Sequence, residues 1–147
     1  MNEIALRELG LSDGLIRHLG GNEPSAPLGF RVQPPEHWQS SPISRRSIIT
    51  LWECGTTLTY FDPASATYRR CSLEDINSDW FRYRSLQALL AQLFLELYED
   101  ELSDDQILSV AVEAGFHHAE RLIEEASGLN GSAYQRWSEA FPLTCES

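Results

Sequence analysis

Residues 85–105, SLQALLAQLFLELYEDELSDD, constrain the fold of this chain more than any other segment. Their apolar side chains recur at offsets of three and four positions, which places them on one stripe of an α-helix. The stripe consists of Leu86, Leu89, Leu90, Leu93, Phe94, Leu97 and Tyr98. Ser85 suits the N-cap, because its hydroxyl can accept a hydrogen bond from a free amide of the first turn. Such a stripe must be buried, so we expect the rest of the chain to cover it.

Three segments before this helix predict an antiparallel sheet. Residues 47–54 and 56–62 are rich in β-branched and aromatic side chains and are separated by a single glycine, which indicates a hairpin. Asp62 and Pro63 favour a turn, after which residues 67–72 can return as a third strand.

The second predicted strand has the period-two pattern of a sheet with one covered face. Leu58 and Tyr60 alternate there with Thr57, Thr59 and Phe61. Because consecutive elements with short connections usually pack together, we expect the helix of residues 85–105 to cover this face.

Short helices and loops are predicted on either side of this core. The first twenty residues form two amphipathic pieces separated by Gly10. Residues 22–42 contain five prolines, which indicates a loop with one short extended stretch at residues 28–32. Ser103 and Gln106 match a capping box, and three helical segments follow it.

Together these elements predict an α+β fold with an antiparallel β-meander covered by helices on one side. A chain of 147 residues suits a single domain with one core. We assign the α+β core to residues 1–102 and additional C-terminal helices to an extension of residues 103–147.

Negative charge is concentrated in the last third of the chain. The net charge is −11, and residues 96–147 carry −10 of it, with twelve acidic residues against two arginines. Such a surface disfavours direct binding of nucleic acid, because affinity for a phosphate backbone depends on Lys and Arg. It favours a cationic protein partner instead, since opposite fields steer two proteins together.

Six carboxylates crowd the end of the long predicted helix, and nearby aromatic side chains are candidates for short-range contacts. The predicted partner-binding residues are Glu96, Tyr98, Glu99, Asp100, Glu101, Asp104, Asp105 and Trp80. The alternative interpretation is that an acidic surface only keeps the protein soluble.

The sequence also predicts a cytoplasmic protein without membrane contact. It has no run of about eighteen apolar residues, and its start lacks the basic and apolar layout of a signal peptide. Cys54, Cys71 and Cys145 are an odd number of cysteines without metal-type spacing. This pattern favours reduced thiols over a disulfide framework.

Few residues offer catalytic or metal chemistry. His117 and His118 are adjacent, so on a helix their rings point about 100° apart and do not easily share one metal ion. Cys54 lies in no signature of an activated nucleophile. We therefore expect no catalytic residue, no metal and no cofactor. A small enzyme that uses His117, His118 or Cys54 remains an alternative.

The order of these motifs resembles that of the SUKH superfamily. A short helical N-terminus precedes the strand pair LWECGTTLTYFDP, a third strand ending in CSLEDI, and the helical segment FRYRSLQALLAQLFLEL. The resemblance covers roughly residues 15–98. Bacterial members of that superfamily are commonly immunity proteins against secreted toxins. The resemblance thus implies a protein that neutralises a cognate toxin by occluding its active site, and the acidic surface favours a cationic one.

A secretion chaperone or adaptor for an effector is the alternative binding function. Proteins of that class are also small, acidic and α+β, and they hold a client segment, often as dimers.

Overall fold

The structure of the protein is a computed structural model that describes residues 1–21 and 25–146. Within these residues the helices are α1 (Glu3–Glu8), α2 (Asp13–Leu19), α3 (Leu86–Glu99), α4 (Asp104–Ala114), α5 (Ala119–Ala126) and α6 (Gly131–Ala140). The strands are β1 (Ile49–Cys54), β2 (Thr57–Asp62), β3 (Thr67–Ser72) and β4 (Asp75–Tyr83). Short 3-10 turns lie at Gly29–Arg31, Trp38–Ser40, Pro42–Arg45 and Phe141–Cys145. Residues 22–24 of the predicted proline-rich loop lie outside the described residues.

The four strands form one antiparallel sheet in the order β1-β2-β3-β4, which together with the helices confirms the predicted α+β meander. Gly55 has a φ of 59° in the β1–β2 turn, the left-handed conformation that a two-residue hairpin turn often requires. The sequence predicted β1 to β3 but not β4, whose residues are mostly polar.

Helix α3 lies at the centre of the core, as its apolar stripe predicts. Ser85 Oγ accepts a hydrogen bond from the amide of Ala88 at 3.1 Å and so caps the helix. Eight α3 residues are buried, and they include Ala88, Ala91 and Leu95, which lie outside the predicted stripe. The helix is therefore covered on more than one side. Even so, no helix of the described chain is long and apolar enough to cross a membrane.

The sheet has an apolar cluster on each face. Phe61 packs against the main core that contains α3. Leu58 and Tyr60 instead lie in a second cluster with Ile43 and Cys71. The prediction that Leu58 and Tyr60 face the long helix is therefore wrong. Residues around the turn Pro42–Arg45 cover these two side chains on the opposite face of the sheet.

The C-terminal helices share the main core with α3. Ile107 of α4 and Leu122 of α5 are buried there, as are Phe116 between these helices and Phe141 in the last 3-10 turn, whereas α6 has no buried residue. The Gln106 amide donates to Ser103 Oγ at 3.2 Å, and the Ser103 amide donates to Gln106 Oε1 at 3.0 Å, which confirms the capping box. Residues 103–146 thus pack as a layer against α3.

Helices α1 and α2 confirm the two short helices predicted near the N-terminus. Ser12 Oγ caps α2 by accepting from the amide of Leu15 at 3.1 Å, and its hydroxyl donates to the carbonyl of Glu113 at 2.7 Å. The predicted extended stretch at residues 28–32 is wrong. Gly29 has a φ of 42° there, which a regular strand does not allow.

Candidate functional site

The predicted binding residues fall into three groups. The exposed carboxylates of Glu101, Asp104 and Asp105 lie where α3 ends and α4 begins, and we call them the acidic corner. Trp80 and Glu96 line a groove of about 460 Å³ beside β4, which we call the β4 groove. The remaining three predicted residues, Tyr98, Glu99 and Asp100, lie at the C-terminal end of α3.

Glu101 ends α3 in a conformation that usually belongs to glycine. Its φ is 67°. The Glu101 amide donates to the Tyr98 carbonyl at 3.1 Å, and the Leu102 amide donates to the Leu97 carbonyl at 3.4 Å, a pattern typical of a glycine-ended helix. A residue with a Cβ costs roughly 1 kcal/mol in this left-handed region. The exposed carboxylate of Glu101 is therefore held at an energetic cost.

Asp104 and Asp105 have a local structural role as well as a charge. Both are exposed and lie in the first turn of α4. The amides at a helix N-terminus carry partial positive charge, so each carboxylate there stabilises the helix by about 0.5 kcal/mol. Their position is explained by the helix and does not require a partner.

Asp100 is neutralised by the chain itself. Arg31 Nε and Nη2 donate to its two carboxylate oxygens at 2.8 and 2.7 Å. This bidentate hydrogen bond holds the pKa of Asp100 below its ordinary value. Asp100 therefore adds less to the external negative field than the sequence predicts.

We expect carboxylate-carbon NMR to find the pKa of Asp100 below the ordinary aspartate value. Arg31→Ala removes the guanidinium and should return that pKa to about 3.9. Because the lowered pKa belongs to the folded state, the pair stabilises the fold above about pH 4, and this contribution is lost as the pH falls through the folded pKa. A pKa that Arg31→Ala leaves unchanged would contradict the ion pair.

Glu96 and Glu99 also bond to groups of the protein. Arg70 donates to both oxygens of Glu96, at 2.5 and 3.1 Å. The Tyr134 hydroxyl donates to Glu99 at 3.0 Å, and burial together with that carboxylate raises the pKa of Tyr134. Tyr98 is half-buried and stacks on Tyr134, with ring centroids 6.3 Å apart. Within the described residues, the acidic corner therefore holds the predicted carboxylates that are bound neither by an arginine nor by a tyrosine.

The β4 groove displays Trp80 at an irregularity of the sheet. Arg70 is paired with Phe81, and Cys71 is paired with Asp79, so Trp80 is the extra residue of a β-bulge. Its side chain is 60% exposed. Because β4 is an edge strand, the bulge also discourages pairing with another strand. Trp80 therefore offers its exposed indole for contact, and not the backbone of β4.

The predicted alternative catalytic residues lie in different surroundings. Burial is the main cause that raises the pKa of the Cys54 thiol. The charged side chains that also act on this thiol are Arg31, Arg70 and Glu96. Burial is also the main cause that lowers the pKa of His118, and the neighbouring side chains that lower it further are Arg121 and His117. A thiol with a raised pKa is a poor nucleophile at neutral pH.

Metal ligands are not clustered in the part of the chain that the structure describes. His, Cys, Asp and Glu side chains form no group of three or more there that could hold a metal ion.

Sequence reasoning missed the role of a buried carboxylate on β1. Glu53 is 1% exposed and accepts from the backbone amides of Glu36, His37 and Trp38 at 2.9–3.0 Å. His37 Nδ1 lies 2.9 Å from its other oxygen. An acidic residue inside a mostly apolar strand is the signal that could have found it, since a buried charge needs several partners.

Comparisons with models of known protein families, with curated proteins and with solved structures found no match to this chain. The resemblance to the SUKH superfamily therefore stays a prediction from the order of its motifs.

Proposed function

We propose that this protein is an immunity protein that binds a cognate cationic toxin and neutralises it by occluding its active site. Glu101 is the observation that carries the proposal. It occupies a left-handed position where glycine costs less, and strain of this kind is often retained for what the side chain does. The motif order that resembles the SUKH superfamily supports the same function.

Electrostatics supplies a physical mechanism for such binding. A toxin that acts on nucleic acid carries cationic groups around its active site, because those groups bind the phosphates of its substrate. The field of Glu101, Asp104 and Asp105 would attract that surface over about one Debye length, roughly 8–10 Å. Docking there would exclude the substrate, and the exposed indole of Trp80 would add short-range affinity.

The product of the gene beside this one in the native genome is the first partner to test. We expect it to be toxic when expressed alone, to form a complex with this protein and to lose its toxicity in that complex. A neighbouring protein that is not toxic, held by a dimer of this chain and delivered to a secretion system, would instead support the chaperone function.

Neutralising the acidic corner is expected to slow association with the toxin. The triple variant Glu101→Gln, Asp104→Asn, Asp105→Asn removes three negative charges from one surface. We expect the association rate constant at low salt to fall by about tenfold and its dependence on ionic strength to flatten. Stopped-flow fluorescence over a series of salt concentrations measures both quantities.

The matched control removes three exposed charges elsewhere, by Glu36→Gln, Glu74→Gln and Glu124→Gln. It changes the net charge equally and should alter the rate much less. Glu101→Gly is a second probe, because it deletes one corner carboxylate and should stabilise the fold by roughly 1 kcal/mol. If the corner and control triple variants associate equally fast, the role of the acidic corner is refuted.

A further inference from the structure

We infer that the β4 groove is a slot for an arginine side chain of the partner, an inference that rests on the proposed function and specifies its contact. Trp80 and Leu143 both line this groove, and they are 60% and 59% exposed. Trp80 comes from β4 and Leu143 from the turn Phe141–Cys145. Two segments far apart in sequence thus place large apolar side chains at one concave surface, which is typical of a binding site.

The charges that line the groove leave one carboxylate without a cation. Arg70 pairs with Glu96 on the floor, and Arg82 pairs with Asp79 at 3.1 Å. Glu139 on α6 also lines the groove and is exposed. Across residues 1–21 and 25–146 it forms no ion pair, and its hydrogen bond is a long one of 3.4 Å from an amide of its own helix. An unpaired carboxylate therefore shares the groove with an exposed indole.

The protein combines an arginine, an aromatic ring and a carboxylate at three places, one of which, the set with Arg70, lies in the β4 groove itself. Each guanidinium lies 4.8–5.5 Å from the centroid of a phenylalanine ring and pairs with an acidic side chain. These sets are Arg31 with Phe30 and Asp100, Arg70 with Phe81 and Glu96, and Arg121 with Phe141 and Glu125. Trp80 and Glu139 also share this groove, and within the described residues no arginine stacks on Trp80 or pairs with Glu139.

Arginine fits this combination better than other side chains. Its planar guanidinium can stack on an indole and at the same time bond to a carboxylate with two N–H groups. Its aliphatic stem can cover an exposed leucine such as Leu143. Lysine has a compact, strongly hydrated charge that cannot stack in this way, so we expect it to bind more weakly.

An NMR titration with blocked amino acids tests the slot without the partner. The intact protein is titrated with N-acetyl-arginine methylamide, and the indole N–H of Trp80 and the amides of Glu139 and Leu143 are followed. We expect saturable shifts with a dissociation constant on the order of millimolar. The citrulline analogue has the same shape without the charge, and it should bind at least about fivefold more weakly.

Two variants test the residues assigned to the slot. Glu139→Gln should weaken arginine binding at least about threefold, and Trp80→Ala should weaken it at least about fivefold. Val112→Ala alters an exposed apolar side chain elsewhere, and it should leave arginine binding unchanged. Equal binding of arginine and citrulline, or no saturable shift, would overturn the slot. The titration needs no toxin, so its failure is distinct from a failure of toxin neutralisation.

Discussion

Replacing Glu53 with leucine is expected to lower the free energy of unfolding by about 3–5 kcal/mol. The Glu53 carboxylate accepts hydrogen bonds from three successive backbone amides, those of Glu36, His37 and Trp38. A leucine side chain at this position has no hydrogen-bond acceptor. The three amides would then either stay buried without a partner or become hydrated as the loop moves away from the sheet. Urea denaturation measures the global effect, and hydrogen exchange at the three amides shows whether the loop opens locally.

Two further variants separate the amide contacts from the histidine contact. Glu53→Gln keeps the shape of the side chain and one oxygen that can accept from the three amides, but it removes the negative charge that strengthens these hydrogen bonds, so about half of the loss is expected. His37→Ala should cost less than about 1 kcal/mol, because the His37 side chain is 75% exposed. Glu74→Gln on the exposed surface serves as the control. Stability of Glu53→Leu within about 1 kcal/mol of the unaltered protein would show that the loop does not depend on this carboxylate.

Local sequence signals predicted the parts of the fold that local interactions determine. The spacing of the α3 stripe, the N-cap at Ser85 and the capping box at Ser103 each act within a few residues. Strand β4 was missed because its local sequence lacks such a signal. Asn77, Ser78 and Asp79 give it a polar composition, and the bulge at Trp80 interrupts its period-two pattern.

The electrostatics of the candidate site depended on contacts that no local pattern reveals. Asp100 pairs with Arg31, which is 69 positions away, and Glu96 with Arg70, which is 26 positions away. A run of acidic residues therefore predicted a larger field than the structure displays, because two of its members are bound by arginines from other elements. Glu101 could be predicted as exposed, but its left-handed conformation depends on how α3 ends.

The Arg70–Glu96 pair is expected to show a large coupling energy in a double-mutant cycle. The two side chains are 6% and 14% exposed, and Arg70 also donates to Thr59 Oγ1 at 3.2 Å and lies over the ring of Phe81. Arg70→Met leaves the Glu96 carboxylate nearly buried without its cation, so we expect a loss of about 3–4 kcal/mol in the free energy of unfolding.

The double variant distinguishes the cost of an unpaired charge from the value of the pair. Arg70→Met with Glu96→Met replaces both ions by apolar side chains, and it should recover at least about 2 kcal/mol of the loss, since the charges no longer need to be desolvated. The exposed pair of Arg7 and Glu3 is the matched control, and the same cycle there should give a coupling much smaller than that of the buried pair. A coupling as small for the buried pair as for the exposed one would mean that water reaches Glu96. That carboxylate would then return to the partner-binding surface that the sequence predicts, because a hydrated Glu96 could exchange Arg70 for a cation of the toxin.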